Sequence, residues 1–292
     1  MDEFEIAVDG ARLAVSRTPG ERLELIALHG SKPGTRDGPL YQHLHDVLPP
    51  IGIGVVTFDR RGEGSSTGRS SLGNFELQAQ DCVSIMDALG GSRFGIWGFS
   101  QGGWVAPLVA GRRADVACVV TIGASGVTPH EQMRYGVARH LEEAGYNPSV
   151  VLRADGLWVE AMRALRGDGS LDELQEQLRD AAREPWWPLA FLPEEIPNGE
   201  ARTAVMREMD HDPLPSFRSV RCPVLAIYGQ RDEWVPVDVS VEAWRAAQGK
   251  NVTTVVLEGG AHDPLDGDGL VAEQYERLLV EWLGELVQTS RS

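Results

Sequence analysis

Residues 93–104 read RFGIWGFSQGGW, and one serine within them could act as a nucleophile. Gly98 and Gly102 stand two residues before and two after Ser100, between an apolar run that predicts a strand and a pattern that predicts a helix. A serine on so tight a strand-to-helix turn sits on strained backbone, and its neighbours two positions away must be small. The turn lifts the hydroxyl above the carboxyl ends of the strands, where open α/β sheets bind ligands. It also aims the first N–H groups of the helix at that point, a favourable place for negative charge.

A serine hydroxyl is a weak nucleophile at neutral pH until a base takes its proton. In this setting the acid and then the base follow the serine in the chain. Of seven histidines, His29, His43 and His45 precede Ser100, while His130, His140 and His211 fall in a long helical stretch. His262 stands in a glycine-bearing loop after a late strand, in Glu258-Gly-Gly-Ala-His262, and is the expected base. Asp232, just past the run Pro223–Tyr228, is the expected acid, holding the imidazole in one tautomer and stabilising its cation. Glu233 competes with it, Asp238 does so more weakly, and Asp263 cannot easily fold back onto the ring beside it. For the oxyanion the backbone N–H of Gln101 supplies one donor and that of Ser31 the second, with Gly30 letting the loop His29-Gly30-Ser31 turn inward. His29 itself reads as a support for that loop.

The elements that must position these residues follow from the apolar periodicity. Residues 3–8 and 11–16 flank Asp9-Gly10, a two-residue hairpin signal. Runs at 23–28, 54–58, 94–97 and 116–122 alternate with helical patterns at about 39–48, 74–89 and 101–112. The alternation predicts a mostly parallel twisted sheet flanked by helices, with the hairpin at one edge. From about 126 to 215 the rhythm stops: helical segments fall near 129–144, 149–166, 170–183 and 199–209, and prolines 213 and 215 close the stretch. A strand at 223–228, a helix at 238–247, a strand at 252–257 and a helix at 270–287 resume the pattern. The expected organisation is an α/β core of 1–125 and 216–292 carrying a helical insertion, 126–215.

Besides the Gly98–Gly102 motif, His29-Gly30, the segment Phe58-Asp59-Arg-Arg-Gly62-Glu-Gly64-Ser65, the acid loop ending at Asp232 and Gly260-Ala-His262 carry a resemblance. Together they resemble the α/β-hydrolase superfamily, in particular serine esterases and serine aminopeptidase-like hydrolases. The resemblance implies an α/β-hydrolase fold and casts the insertion as a cap over the active site. The insertion matches no specificity class, so no substrate comes with the fold.

Composition narrows the function further. The 292 residues hold 27 basic and 43 acidic side chains, a net charge of −16, of which −9 falls in 141–212. So acidic a chain repels phosphate backbones and anionic membranes, which argues against nucleic-acid and membrane partners. The N-terminal MDEFEIAVDGARL is acidic where a secretory signal would be basic. Cys82, Cys118 and Cys222 are widely spaced and fit reduced, buried thiols. A cytoplasmic location is expected, as a monomer or homodimer.

Other clusters carry less. Asp59-Arg60-Arg61-Gly62 reads as a turn whose arginines pin neighbouring loops. Asp210-His211-Asp212 contains metal-ligating types, but adjacent residues followed by Pro213 do not converge on one ion, and no metal or cofactor is expected. Trp158, Trp186 and Trp187 read first as packing residues and second as the lining of an apolar pocket. The expected activity is hydrolysis of a carboxylic ester, or a related amide, lactone or thioester, through an acyl-enzyme on Ser100. Acyl transfer or cyclisation by the same three residues is the first alternative, and a non-catalytic binding protein of the same fold the second.

Overall fold

The computed structural model describes residues 1–31, 33–90 and 93–289. The chain separates into two compact units: residues 1–126, 213–232 and 237–292 form one, and residues 127–212 with 233–236 the other.

The first unit is built on strands β1 (Asp2–Val8), β2 (Ala11–Thr18), β3 (Leu23–Leu28), β4 (Ile53–Phe58), β5 (Phe94–Phe99), β6 (Val116–Ile122), β7 (Val224–Gly229) and β8 (Val252–Leu257). They form one sheet in the order β1-β2-β4-β3-β5-β6-β7-β8. Antiparallel pairing is confined to β1–β2 and β2–β4, and the remaining pairs are parallel. Pairing of Val8 with Ala11 leaves Asp9 and Gly10 as the hairpin loop, with Gly10 at φ 71°. This is the mostly parallel sheet, with the hairpin at one edge, expected from the alternation. Strands β3 to β7, except the last residue of β5 and Ala117 of β6, are buried throughout, as strands covered on both faces must be.

Helices α1 (Pro39–Val47), α2 (Phe75–Leu89) and α3 (Gly102–Arg112) come before the second unit in the chain, and the terminal helix Glu273–Thr289 ends the first unit. Side chains of α1 and of the terminal helix share an apolar cluster with Leu23, Leu25, Trp97, Val120 and Leu225, which alternate along their strands and so mark one face of the sheet. Trp97 Nε1–H donates to the Tyr275 hydroxyl at 2.9 Å in that cluster.

The second unit is helical: α4 (Pro129–Glu143), α5 (Pro148–Arg166), α6 (Leu171–Ala181) and α7 (Gly199–Met209). Each of the first three begins on a side-chain cap. Thr128 and Glu131 form a reciprocal capping box on α4, Asn147 accepts from Ser149 and Val150 on α5, and Ser170 accepts from Glu173 on α6. Back in the first unit lie α8 (Leu214–Ser219), α9 (Val237–Gln248) and the terminal helix α10 (Glu273–Thr289). Helix α8 stands where two prolines suggested a closing turn. Pro213 caps it and Pro215 sits in its first turn, where the missing N–H has no helical partner to lose. Phe217 of α8 stacks on Trp244 of α9 at 3.8 Å.

Candidate functional site

Strand β5 delivers Ser100 to the turn before α3 with φ at 50°. Left-handed backbone costs a residue with a Cβ roughly 1–2 kcal/mol, so surrounding contacts must hold it. The Ser100 N–H donates to the Ile122 carbonyl at 2.7 Å, and the Ser100 carbonyl accepts from Gly103 at 2.8 Å. The flanking glycines are obligatory. A methyl on Gly98 would lie 2.2 Å from the Gly102 carbonyl oxygen, and one on Gly102 would lie 2.6 Å from that of Leu28.

His262 Nε2 lies 2.9 Å from Ser100 Oγ. On the other side of the ring, Nδ1 lies 3.0 and 2.9 Å from the two carboxylate oxygens of Asp232. A carboxylate only accepts, so Nδ1 carries the proton and Nε2 is left to accept from the serine hydroxyl. Asp232 is 3% exposed and His262 8% exposed. The structure thus brings the three residues chosen from the sequence into one hydrogen-bonded row, with Asp232 taking the position for which Glu233 and Asp238 competed.

The loops that carry acid and base are latched to each other. Arg231 N–H donates to the Gly260 carbonyl at 2.8 Å, and Asp232 N–H donates to the Gly229 carbonyl at 3.2 Å. Gly229 allows the approach, since a methyl there would fall 2.0 Å from the Ala261 carbonyl oxygen. Gly123, at the end of β6 with φ 61°, completes the seat of the imidazole: a methyl on it would meet His262 Cε1 at 2.8 Å. Sequence reasoning passed over Gly123. Its signal was a glycine just past the carboxyl end of the strand next to the serine's.

Gly30 lies beside the serine, where a methyl would come within 3.0 Å of the Phe99 ring and 3.5 Å of Ser100 Cβ. Ser31 is exposed, and Gln101 is buried behind the serine. His29 is buried with its ring edge-on to Tyr41 at 5.0 Å and Phe58 at 5.1 Å. Burial, then the nearby Arg60 charge, pushes its pKa down to about 3 against a hydrogen bond with the Phe58 backbone. The ring is neutral at any working pH, in keeping with a supporting part.

Trp158, Trp186 and Trp187 lie in the helical unit's own apolar cluster with Leu141, Leu157, Leu174 and Leu178. Trp158 Nε1–H donates to the Ala190 carbonyl at 2.9 Å. Asp210 of the Asp-His-Asp run pairs with Arg166. Among the described residues no group of three or more His, Cys, Asp or Glu could hold a metal ion, and no helix is long and apolar enough to cross a membrane.

Relatives place the chain. An Escherichia coli protein known as the uncharacterized 31.7 kDa protein in the traX-finO intergenic region is 23% identical over 249 residues, 81% of this chain and 79% of that one. Among solved structures, the proline iminopeptidase of Mycobacterium smegmatis aligns with a TM-score of 0.66 at 18% identity, over 99% of this chain and 100% of that one. The Pyrococcus furiosus esterase Pf2001 aligns with a TM-score of 0.64 at 17% identity, over 99% of this chain and 90% of that one. At such identities the structures share the fold alone. The profile of the alpha/beta hydrolase family matches residues 25–274, and to that family this chain belongs.

Proposed function

We propose that the protein is a serine hydrolase that cleaves a carboxylic ester, or a chemically related amide, lactone or thioester, in a small-molecule acyl substrate, without a cofactor. The observation that carries this reading is the row Ser100–His262–Asp232, with serine–imidazole and imidazole–carboxylate separations of 2.9 Å. Ser100 Oγ attacks the acyl carbonyl carbon while His262 Nε2 takes the hydroxyl proton. Asp232 keeps the ring in the tautomer that can accept and stabilises the imidazolium that results. Backbone N–H groups of Ser31 and Gln101 receive the developing oxyanion, a contribution of about 2.7–4 kcal/mol per donor. His262 returns the proton to the departing alkoxide, leaving Ser100 acylated. The same imidazole then takes a proton from water as the water attacks the acyl carbon, and the acid is released. The same fold occurs in an esterase and a peptidase, which supports a hydrolase, and a hydroxyl rather than a carboxylate at position 100 supports a serine nucleophile.

Replacing Ser100 tests it. Ser100→Ala is expected to lower turnover of a short nitrophenyl ester by at least a thousandfold. A fluorophosphonate is expected to label wild-type protein at Ser100. Activity retained within tenfold by the variant, or no label on Ser100, overturns the assignment.

A further inference from the structure

Arg60 stands just past β4, in the turn Asp59-Arg60-Arg61-Gly62, and its side chain is almost wholly buried. A buried guanidinium needs partners for its donors, and here the partners are informative. Its Nη1 donates to the Gly30 carbonyl at 2.8 Å, and its Nη2 donates to the Ser31 carbonyl at 2.6 Å. Nη1 also donates to the Gln101 side-chain oxygen at 3.3 Å, an atom that accepts from Gln78 Nε2 at 3.0 Å as well. The fork is held in turn by Glu63, which accepts from Arg60 Nε at 2.7 Å. Glu63 accepts from the Gly34 N–H at 2.8 Å too, and the Arg60 N–H donates to the Gly34 carbonyl at 2.7 Å.

One side chain therefore grips the backbone of the Gly30–Ser31 loop and the side-chain amide of Gln101, the residue that follows Ser100. In a trans peptide the C=O and N–H point in opposite directions. Fixing the Gly30 carbonyl on Arg60 turns the Ser31 N–H of the same peptide away from the guanidinium. Gly30 itself lies against Phe99 and Ser100. Anchoring the Gln101 amide keeps that residue's side chain buried behind the turn and its backbone at the start of α3. A cation on the carbonyl end of a peptide also polarises it and strengthens its N–H as a donor.

We propose that Arg60 is a positioning residue that sets both oxyanion donors, Ser31 N–H and Gln101 N–H, from behind. The proposal rests on the acyl-enzyme reading of Ser100 and adds to it a residue that touches no reacting atom. Glu63 orients the guanidinium and balances its charge, and Gln78 shares the Gln101 anchor. Lysine cannot replace the fork, because a single ammonium does not span both carbonyls and the amide oxygen.

The test uses Arg60→Gln in the full chain, after fluorophosphonate labelling and Ser100→Ala have established the serine chemistry. Loss of one oxyanion donor outright costs about 10²–10³ in kcat. Misplacing both is expected to lower kcat by about 10- to 100-fold with KM within threefold of wild type. The inhibition constant of a trifluoromethyl ketone, which forms a tetrahedral oxyanion on the serine, is expected to rise by the same factor. Inhibition by the matching methyl ketone should stay within threefold. If Arg60→Gln does not fold, as judged by circular dichroism and cooperative melting, Arg60→Lys and Gln101→Met carry the test. Both should show the same parallel loss at smaller amplitude. A kcat and a ketone ratio within twofold of wild type in the folded variants overturn the role of Arg60 while leaving the serine hydrolase standing. An unlabelled Ser100 overturns the underlying reading instead.

Discussion

At the scale of single residues, the imidazole of His262 is fixed by what surrounds it rather than by its own loop alone. Asp232 holds one nitrogen, Phe99 packs at 5.4 Å between ring centres, and Gly123 leaves room at Cε1. Gly123→Ala adds a methyl 2.8 Å from that carbon and places a Cβ on backbone at φ 61°. The ring must yield, since the β6 backbone is held in the sheet. A displacement approaching 1 Å in a reacting group costs about a hundredfold in rate. Gly123→Ala is expected to lower kcat/KM for a nitrophenyl ester by about 10- to 100-fold while destabilising the fold by only about 1–2 kcal/mol. Ester kinetics beside urea denaturation check it, and an activity loss no larger than the stability loss explains would contradict it. The three reactive residues were legible in the sequence because Gly98 and Gly102 frame Ser100, and an acid and one of only seven histidines follow it in fixed order, each past a strand. Gly123 was not, because its role is a close approach that no local pattern records; Arg60 was legible only as an arginine pinning neighbouring loops, since the particular carbonyls and amide it holds lie far off in the chain.

At the scale of elements, the first three helices of the second unit, α4, α5 and α6, owe their starts to side-chain caps. On α4, Thr128 Oγ1 accepts from the Glu131 N–H at 3.3 Å while Glu131 accepts from the Thr128 N–H at 3.0 Å. Thr128→Ala removes one half of the exchange and frees donors at the helix start, for an expected cost of about 1 kcal/mol. A lowered urea midpoint with unchanged ester KM would be the result, and no shift in midpoint would show the cap to be redundant. Strands and helices of the core could be read because short continuous apolar runs, as strands covered on both faces require, stand apart from the 3.6-residue period of the helices. Helix α8 escaped that reading. It is one turn and a half long, too short for a periodic signal, and its prolines, elsewhere helix breakers, occupy the cap and first turn where they are tolerated.

At the scale of the whole molecule, buried histidines link folding to acidity. Burial, as the leading cause, pulls the pKa values of His29, His43, His45, His130 and His211 below the ordinary value of 6.5. His45, for example, sits between Thr18 and Thr57, 2.8 and 3.0 Å from their hydroxyls. With their pKa values lowered, these rings take up protons less readily in the folded chain than in the unfolded one, so the unfolded state binds more protons at low pH. Their contribution is complete above about pH 6.5 and is lost as pH falls from there toward the folded values, about 3 for His29. By pH 5, His29 alone accounts for about 2 kcal/mol. Urea midpoints are expected to drop clearly between pH 7.5 and pH 5, a range above the ordinary carboxylate titration. Equal midpoints at the two values would mean that these histidines are not held neutral by the fold.

Among the described residues, the apolar cluster of the helical unit, which includes Trp158, Trp186 and Trp187, shares no residue with the cluster under α1 and α10. Substitutions that do not touch a common neighbour add nearly independently. Changes to side chains within the helical cluster therefore leave the packing partners of the sheet's cluster as they were. Over generations, mutational load in the insertion is carried in an interior of its own.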